Sequence, residues 1–282
     1  MADLAGDTQV TGGSGNWNAK VSDEWDLWGP NGGYLATIAL RAAGEHVPGM
    51  RPASLDCHFL RSPAPGDVEL TTVTLRASSR AHSVRVTMTQ DKAPVLEALA
   101  WVVQPGMEGL PERSIDPPDG PPPAGLKSYE ELLPPAHQYR EPFWRHVEER
   151  PLDQERHLMW PEDPSEDSVR TSWLRFRPEP RFTDPYLDAG RSVIAADVFP
   201  FLAAVIALEP GPLTHIAPTI SLSLSFHALR PESEWLLVHT ESPAAGDGLL
   251  GGRTSIWAEN GDLVATSRAQ MLCRSLRAPL RG

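Results

Sequence analysis

Asp197 immediately precedes the apolar run VFPFLAAVIAL, and a carboxylate in that place has two uses. It can cap the free backbone N–H groups at the start of a helix. It can also act as a base or water-orienting group beside a helix end, where N–H groups and the helix dipole stabilise developing negative charge. A second helix start is written in GPNGG, where Gly32 and Gly33 read either as a tight turn permitting close helix-to-sheet approach or as bare N–H groups forming a pocket for a negatively charged oxygen. His58 and His227, which titrate near neutrality, lie in the phrases SLDCHFLR (54–61) and SLSFHALR (223–230), identical at five of eight positions and 169 residues apart. Because both copies carry the histidine, core or interface hydrogen bonding is the preferred reading over catalysis. Arg61 and Arg230 close the two copies and read as pins for a strand end. Arg80, Arg85, Arg253, Arg268 and Arg274 have the chemistry to contact phosphates, with solvated surface as the simpler role.

The elements that must position these groups also occur twice. Residues 31–47 place Tyr34, Leu35, Ile38, Ala39 and Ala42 at helical spacing with Gly44 as a stop, and residues 197–211 carry LAAVIAL, an echo of LATIAL. Each predicted helix is followed by a copy of the twin phrase and then three β-rich runs, at 67–77, 82–91 and 93–104 and again at 234–242, 249–261 and 262–274. ENGD marks a tight turn between the last two. NWNAKV and SVRTSWLRF supply one strand before each helix. In TISLSLSFH, strict alternation puts Thr219, Ser221, Ser223, Ser225 and His227 on one face and Ile220, Leu222, Leu224 and Phe226 on the other. Between the halves, residues 105–123 hold seven prolines and read as linker. SYEELL adds a helical turn, and 141–150 is expected to begin the second half as a strand. The expected organisation is a unit over 1–104, a Pro-rich linker over 105–140 and a unit over 141–282, each α+β with a helix covered by an antiparallel sheet. The two are expected to dock through sheet faces as an internal pseudo-dimer.

Composition narrows the function. A chain of 282 residues, 40% hydrophobic and 22% charged, has material for a large core. A net charge of -12 argues against nucleic acid as a general partner. Cys57 and Cys273 are too few for a disulfide framework or a cysteine zinc site, and read as small buried hydrophobes. With no uninterrupted apolar stretch of membrane-spanning length and no secretion signal at the N-terminus, a cytoplasmic protein is expected. A serine-nucleophile elbow, HExxH, a Walker loop and a dinucleotide-binding GxGxxG after a strand are all missing.

WGPNGGYLATIALRAA, SLDCHFLRSPAPGD, AADVFPFLAA, APTISLSLSFHALRPESEWLL and NGDLVATSRAQMLCR together resemble the TesB-like (thioesterase II) acyl-CoA thioesterases, segment by segment and in order. The resemblance implies a double-hotdog fold, two fused α+β units each wrapping a long helix in an antiparallel sheet. It implies hydrolysis of fatty acyl-CoA to fatty acid and CoA, with no cofactor or metal. It assigns the attacking water to Asp197 at the start of the second helix, Thr219 at the start of the following strand and a Gln on the last strand. The bare N–H groups of GPNGG, Gly33 ahead of Gly32, are read separately as the pocket for the thioester carbonyl. The Gln is displaced: its expected place is Ala269, and the glutamine is Gln270. A one-residue slip turns a strand side chain to the opposite face, so either a β-bulge near Arg268 re-aims Gln270 or the third polar group is missing. A hotdog hydratase is disfavoured, since the next histidine after Asp197 is His215, beyond the helix. Two alternatives stay open: an acyl-thioester binding protein of weakened activity, and a thioesterase acting on a carrier-linked chain. The partner expected is acyl-CoA, and a homo-oligomer is compatible with the sequence.

Overall fold

The computed structural model describes residues 3–133, 141–154, 167–208 and 213–280. Its N-terminal half contains α1 (Leu4–Asp7), β1 (Thr11–Gly13), β2 (Asn16–Val21), α2 (Gly32–His46), β3 (Arg51–Phe59), β4 (Gly66–Ala77), β5 (Ala81–Gln90) and β6 (Ala93–Val103). After α3 (Tyr129–Leu132) come β7 (Val147–Pro151), β8 (Val169–Phe176), α4 (Pro185–Leu208), β9 (Leu213–Ile216), β10 (Thr219–Phe226), β11 (Trp235–Gly246), β12 (Leu249–Ala258), β13 (Leu263–Leu272) and β14 (Arg274–Leu280). Hairpin chemistry sets the meanders. Asp91 and Lys92 both have positive φ, as do Asp247 and Gly248, the pattern of tight turns whose twist matches their strands. Gly261 in ENGD has φ +87°.

Twelve strands form one sheet in the order β1-β2-β4-β5-β6-β3-β10-β13-β12-β11-β8-β7. The order is mirrored about its centre, where the twin phrases pair with each other: Leu55 lies opposite Leu224 and Ser54 opposite Ser225 on antiparallel β3 and β10. Each strand therefore meets its own sequence equivalent at a pseudo-twofold axis. The halves join edge to edge at this seam, which corrects the expected docking of one sheet face on another. Edge pairing satisfies the ladder N–H and C=O groups that β3 and β10 would otherwise expose.

The helices join inside the curved sheet. Asn31 caps α2 by accepting from the Tyr34 N–H (2.8 Å). Asp184 caps α4 by accepting from the N–H groups of Tyr186 and Leu187, and Pro185 fits the first turn. Hence α4 begins at Pro185, not at Asp197, and Asp197 stands in its middle. The end of the expected helix, residues 209–211, lies outside the described residues, as does the 134–140 end of the linker. The helices run antiparallel at backbone contact: the Thr37 hydroxyl lies 3.4 Å from the Gly190 carbonyl oxygen, and a methyl group on Gly33 would sit 2.6 Å from Ile194 Cα. Gly44 does not end α2, because the ring of Tyr186 packs where its side chain would be, 2.6 Å from a built Cβ. By length and mean hydropathy (1.9) α4 matches a membrane span, yet 89% of that window is buried inside the fold. It is a core helix.

The linker is a strap across the outer face of the C-terminal sheet. Trp173 donates to the Pro121 carbonyl (3.0 Å) and Trp257 to that of Ile115 (3.1 Å), above a cluster of Trp173, Trp235, Leu237 and Trp257. SYEELL forms its helical turn as α3, with a full capping box between Ser128 and Glu131. Pro142–Arg145 is a 3-10 turn instead of a strand, and pairing starts at Val147. β9 and β14, unforeseen in the sequence, form a separate two-stranded sheet.

Candidate active site

Asp197 projects from the middle of α4 onto the N-terminus of α2, the helix of the other half. Its Oδ2 accepts from Asn31 Nδ2 at 2.7 Å. Gly32 and Gly33 make room for it: a methyl on Gly32 would lie 2.9 Å from Oδ1, and one on Gly33 3.0 Å from Asp197 Cβ. The glycine pair permits a close approach of helix to helix, which corrects the expected approach of helix to sheet. The loop delivering Asn31 is pinned from behind. Asn31 N–H donates to the Trp25 carbonyl (3.1 Å), Trp25 stacks on Tyr34 with ring centres 5.4 Å apart, and the Tyr34 hydroxyl donates to the Asp7 carbonyl (2.8 Å).

Thr219 reaches the carboxylate through a β-bulge. On β13, Thr219 pairs with Met271 but Ser221 pairs with Gln270, so Ile220 is an extra residue in β10. Strict alternation would group Thr219 with Ser221, Ser223 and Ser225; the bulge turns it to the inner face shared by Leu222, Leu224 and Met271. Of the two alternatives for Gln270, a bulge near Arg268 is not the one observed: β13 pairs regularly with β12 from Ala265 to Leu272, its own irregularity lying at Val264, and the bulge at Ile220 is on the neighbouring strand. It does not redirect Gln270. Ala265, Ser267, Ala269 and Met271 are buried on the inner face, whereas Gln270 lies on the outer one, opposite Ser221 and Gly251, and donates to the Leu250 carbonyl (3.2 Å). The expected catalytic placement of Gln270 is thereby corrected: the two-residue period of β13 aims it away from α4.

Burial is the largest influence on Asp197 and pushes its pKa up from the ordinary carboxylate value; the Thr219 hydroxyl, the N–H groups of Gly33 and Gly32 and the Asn31 amide pull it back down. Oδ1 is buried with no donor in full hydrogen-bond geometry, although those donors surround the carboxylate. An acceptor oxygen in that state can take a proton or hold a water. The site is single. Counted from the caps Asn31 and Asp184, Gly44 on α2 stands at the place of Asp197 on α4, and the ring of Tyr186 fills the space beside it.

The other candidates lie elsewhere. His58 and His227 are exposed, and His58 stands opposite Ser221 on the outer face, so a core position is corrected for both. His227 does bond across strands, its Nε2 2.9 Å from Thr266 Oγ1. Arg61 donates to the Gln90 carbonyl (2.9 Å) and Arg230 to Asp262 (2.6 Å), pinning strand ends. Arg253 is paired with Glu241; Arg80, Arg85, Arg268 and Arg274 are exposed. Cys57 is buried on the inner face, its thiol pushed up by burial, Asp56 and Asp197, and Cys273 is half-buried. Among the described residues no group of three or more His, Cys, Asp or Glu side chains is arranged to hold a metal ion. Asn31 escaped the sequence reading. Its signal was present, since Asn before a glycine-opened helix is a favoured N-cap.

Similar folds recur among solved structures. A putative thioesterase II from Thermobifida fusca superposes with a TM-score of 0.82 at 19% identity, covering 97% of this chain and 98% of its own. A conserved hot dog protein of unknown function from Alicyclobacillus acidocaldarius gives 0.81 at 21%, with 98% and 99% covered. The acyl-CoA thioesterase II TesB2 of Mycobacterium marinum gives 0.77 at 20%, with 97% and 99% covered. No curated protein matches the chain. Residues 21–103 match the acyl-CoA thioesterase N-terminal domain and residues 116–273 the C-terminal domain. With its double-hotdog fold, the chain belongs to the acyl-CoA thioesterase family.

Proposed function

We propose that the protein hydrolyses fatty acyl-CoA to fatty acid and CoA by direct attack of water, in the lipid metabolism of the cytoplasm. The observation that carries this reading is the buried Asp197 carboxylate, set between Thr219 and the N-terminus of α2 with one oxygen unpartnered. Asp197 takes a proton from the water while Thr219 holds it, and the new C–O bond converts the thioester carbonyl to a tetrahedral oxyanion. As Asp197 becomes neutral, the N–H groups of Gly32 and Gly33 shift their favourable interaction to that oxyanion. Collapse expels the CoA thiolate, which takes up the proton. The acyl chain lies against the apolar C-terminal turns of α4, where Phe201 and Val205 cluster with Leu250 and Met271, the strand partner of Thr219.

The outward Gln270 and the inward Ala269 favour a second reading, an acyl-thioester binding protein with little turnover. One assay separates them: thiol release from acyl-CoA of graded chain length by the wild type and Asp197→Asn. Saturable turnover lost in the variant supports hydrolysis. Tight binding without wild-type turnover at any chain length would sink it in favour of the second reading.

A further inference from the structure

The two helix caps are chemically different, and the difference tracks what faces them. On α4 the cap is Asp184, a pure acceptor, whose Oδ1 takes the N–H groups of Tyr186 and Leu187. On α2 it is Asn31, buried to 4% exposure, whose Oδ1 accepts from the Tyr34 N–H at 2.8 Å while its Nδ2 donates to Asp197 Oδ2 at 2.7 Å. Ser, Thr and Asp cap helices as well as Asn does, but only a carboxamide carries a strong acceptor and two donors at one end. An Asp at 31 would put one carboxylate against another; a Ser would cap the helix and leave Asp197 Oδ2 without its amide. The amide holds one carboxylate oxygen and Oδ1 is the oxygen left over, buried and without a partner in full geometry. Gly32 keeps the space beside Oδ1 clear, since a methyl there would come within 2.9 Å of it.

Resting on the thioesterase reading above, we propose that Asn31 is a positioning residue of the site: it caps α2 through Oδ1 and, through Nδ2, fixes Asp197 Oδ2 so that Oδ1 is the oxygen presented to the attacking water. The carboxamide that would be sought on the inner face of β13, where Ala269 stands, comes instead from the opposite half of the molecule. Burial, then the charges of Asp56 and Asp197, push up the thiol of Cys57 on β3 and keep it neutral; Thr219 and the glycine N–H groups do not titrate.

The test compares Asn31→Ser, Asn31→Asp and Asn31→Ala by thermal unfolding, by the pH profile of kcat/KM on acyl-CoA, and by carbon-13 carboxyl titration of Asp197 without substrate. Asn31→Ser keeps a cap, so at acid pH, where Asp197 is protonated in both states, its Tm stays near wild type. Losing the amide donor removes support from the ionised carboxylate, so the acid limb and the Asp197 midpoint both move to higher pH and activity near neutrality falls about 10²-fold. Asn31→Asp moves both further in the same direction, and Asn31→Ala adds a loss of Tm. Wild-type acid limbs and midpoints in the Ser and Asp variants, whatever their Tm, would overturn the proposal and leave Asn31 a cap only. Should the wild type hydrolyse no acyl-CoA, the thioesterase reading fails, while the carboxyl titration still decides the coupling of Asn31 to Asp197.

Discussion

Asp197 sits where burial opposes its charge, and stability is expected to register that. An Asp whose folded pKa is raised above its unfolded value of about 3.9 stabilises the fold fully only while protonated in both states. The contribution is lost as pH rises through the raised folded pKa. Asn at this position carries no charge to bury. Tm measured from acid to neutral pH should therefore rise in Asp197→Asn relative to wild type, starting near pH 4 and levelling off above the folded pKa, while turnover falls about 10²–10⁴-fold. Parallel Tm curves would show that Asp197 titrates normally. Gln270→Ala is expected to keep turnover within about 2-fold, because its amide reaches only the Leu250 carbonyl on the outer face; a loss comparable to that of Asp197→Asn would contradict its placement. The residue types of the site were legible in sequence, and its partnerships were not. Asp197 and Thr219 stood out through the resemblance, but the cap that meets Asp197 lies 166 residues away, across a helix contact that no local pattern encodes.

At the scale of elements, periodicity found the helix at 31–47 and all nine described strands of eight or more residues to within a few residues, because alternation and hairpin turns are local signals. It failed where the local rule is broken. Apolar residues all round α4 gave no face to count from, so its start was placed at the polar Asp197 instead of at the Asp184–Pro185 cap. The bulge at Ile220 defeated the two-residue period in the same way. Inserting an alanine between Gln270 and Met271, to give Ile220 a partner on β13, should restore regular pairing and turn Thr219 outward, abolishing thioester hydrolysis while circular dichroism and cooperative unfolding persist; hydrolysis at wild-type rate would show that the bulge does not position Thr219. Helix contact makes a separate demand. In Gly33→Ala the new methyl would meet Ile194 Cα at 2.6 Å and the Val193 carbonyl at 2.8 Å, backbone that cannot rotate away. Chemical unfolding should show a loss of about 1–3 kcal/mol, and an unchanged midpoint would mean the helices are not in contact there.

The whole molecule uses duplication to make one site. The halves, proposed as units over 1–104 and 141–282 with 105–140 between, share the β3–β10 seam and the α2–α4 contact, and the site draws Asn31, Gly32 and Gly33 from one and Asp197 and Thr219 from the other. Neither half alone contains it. The twin phrases announced the duplication, but their histidines lie on the outer surface; the functional difference lies in residues the repeat does not share, Asp197 against Gly44. The most direct measurement of the central claim is a single-turnover hydrolysis of acyl-CoA in oxygen-18 water, with mass analysis of the released acid and of the peptide containing Asp197. Water attack aided by Asp197 predicts one heavy oxygen in the acid, none in the peptide, and almost no acid released by Asp197→Asn. Label in the Asp197 carboxylate, or release by the Asn variant at the wild-type rate, would contradict it.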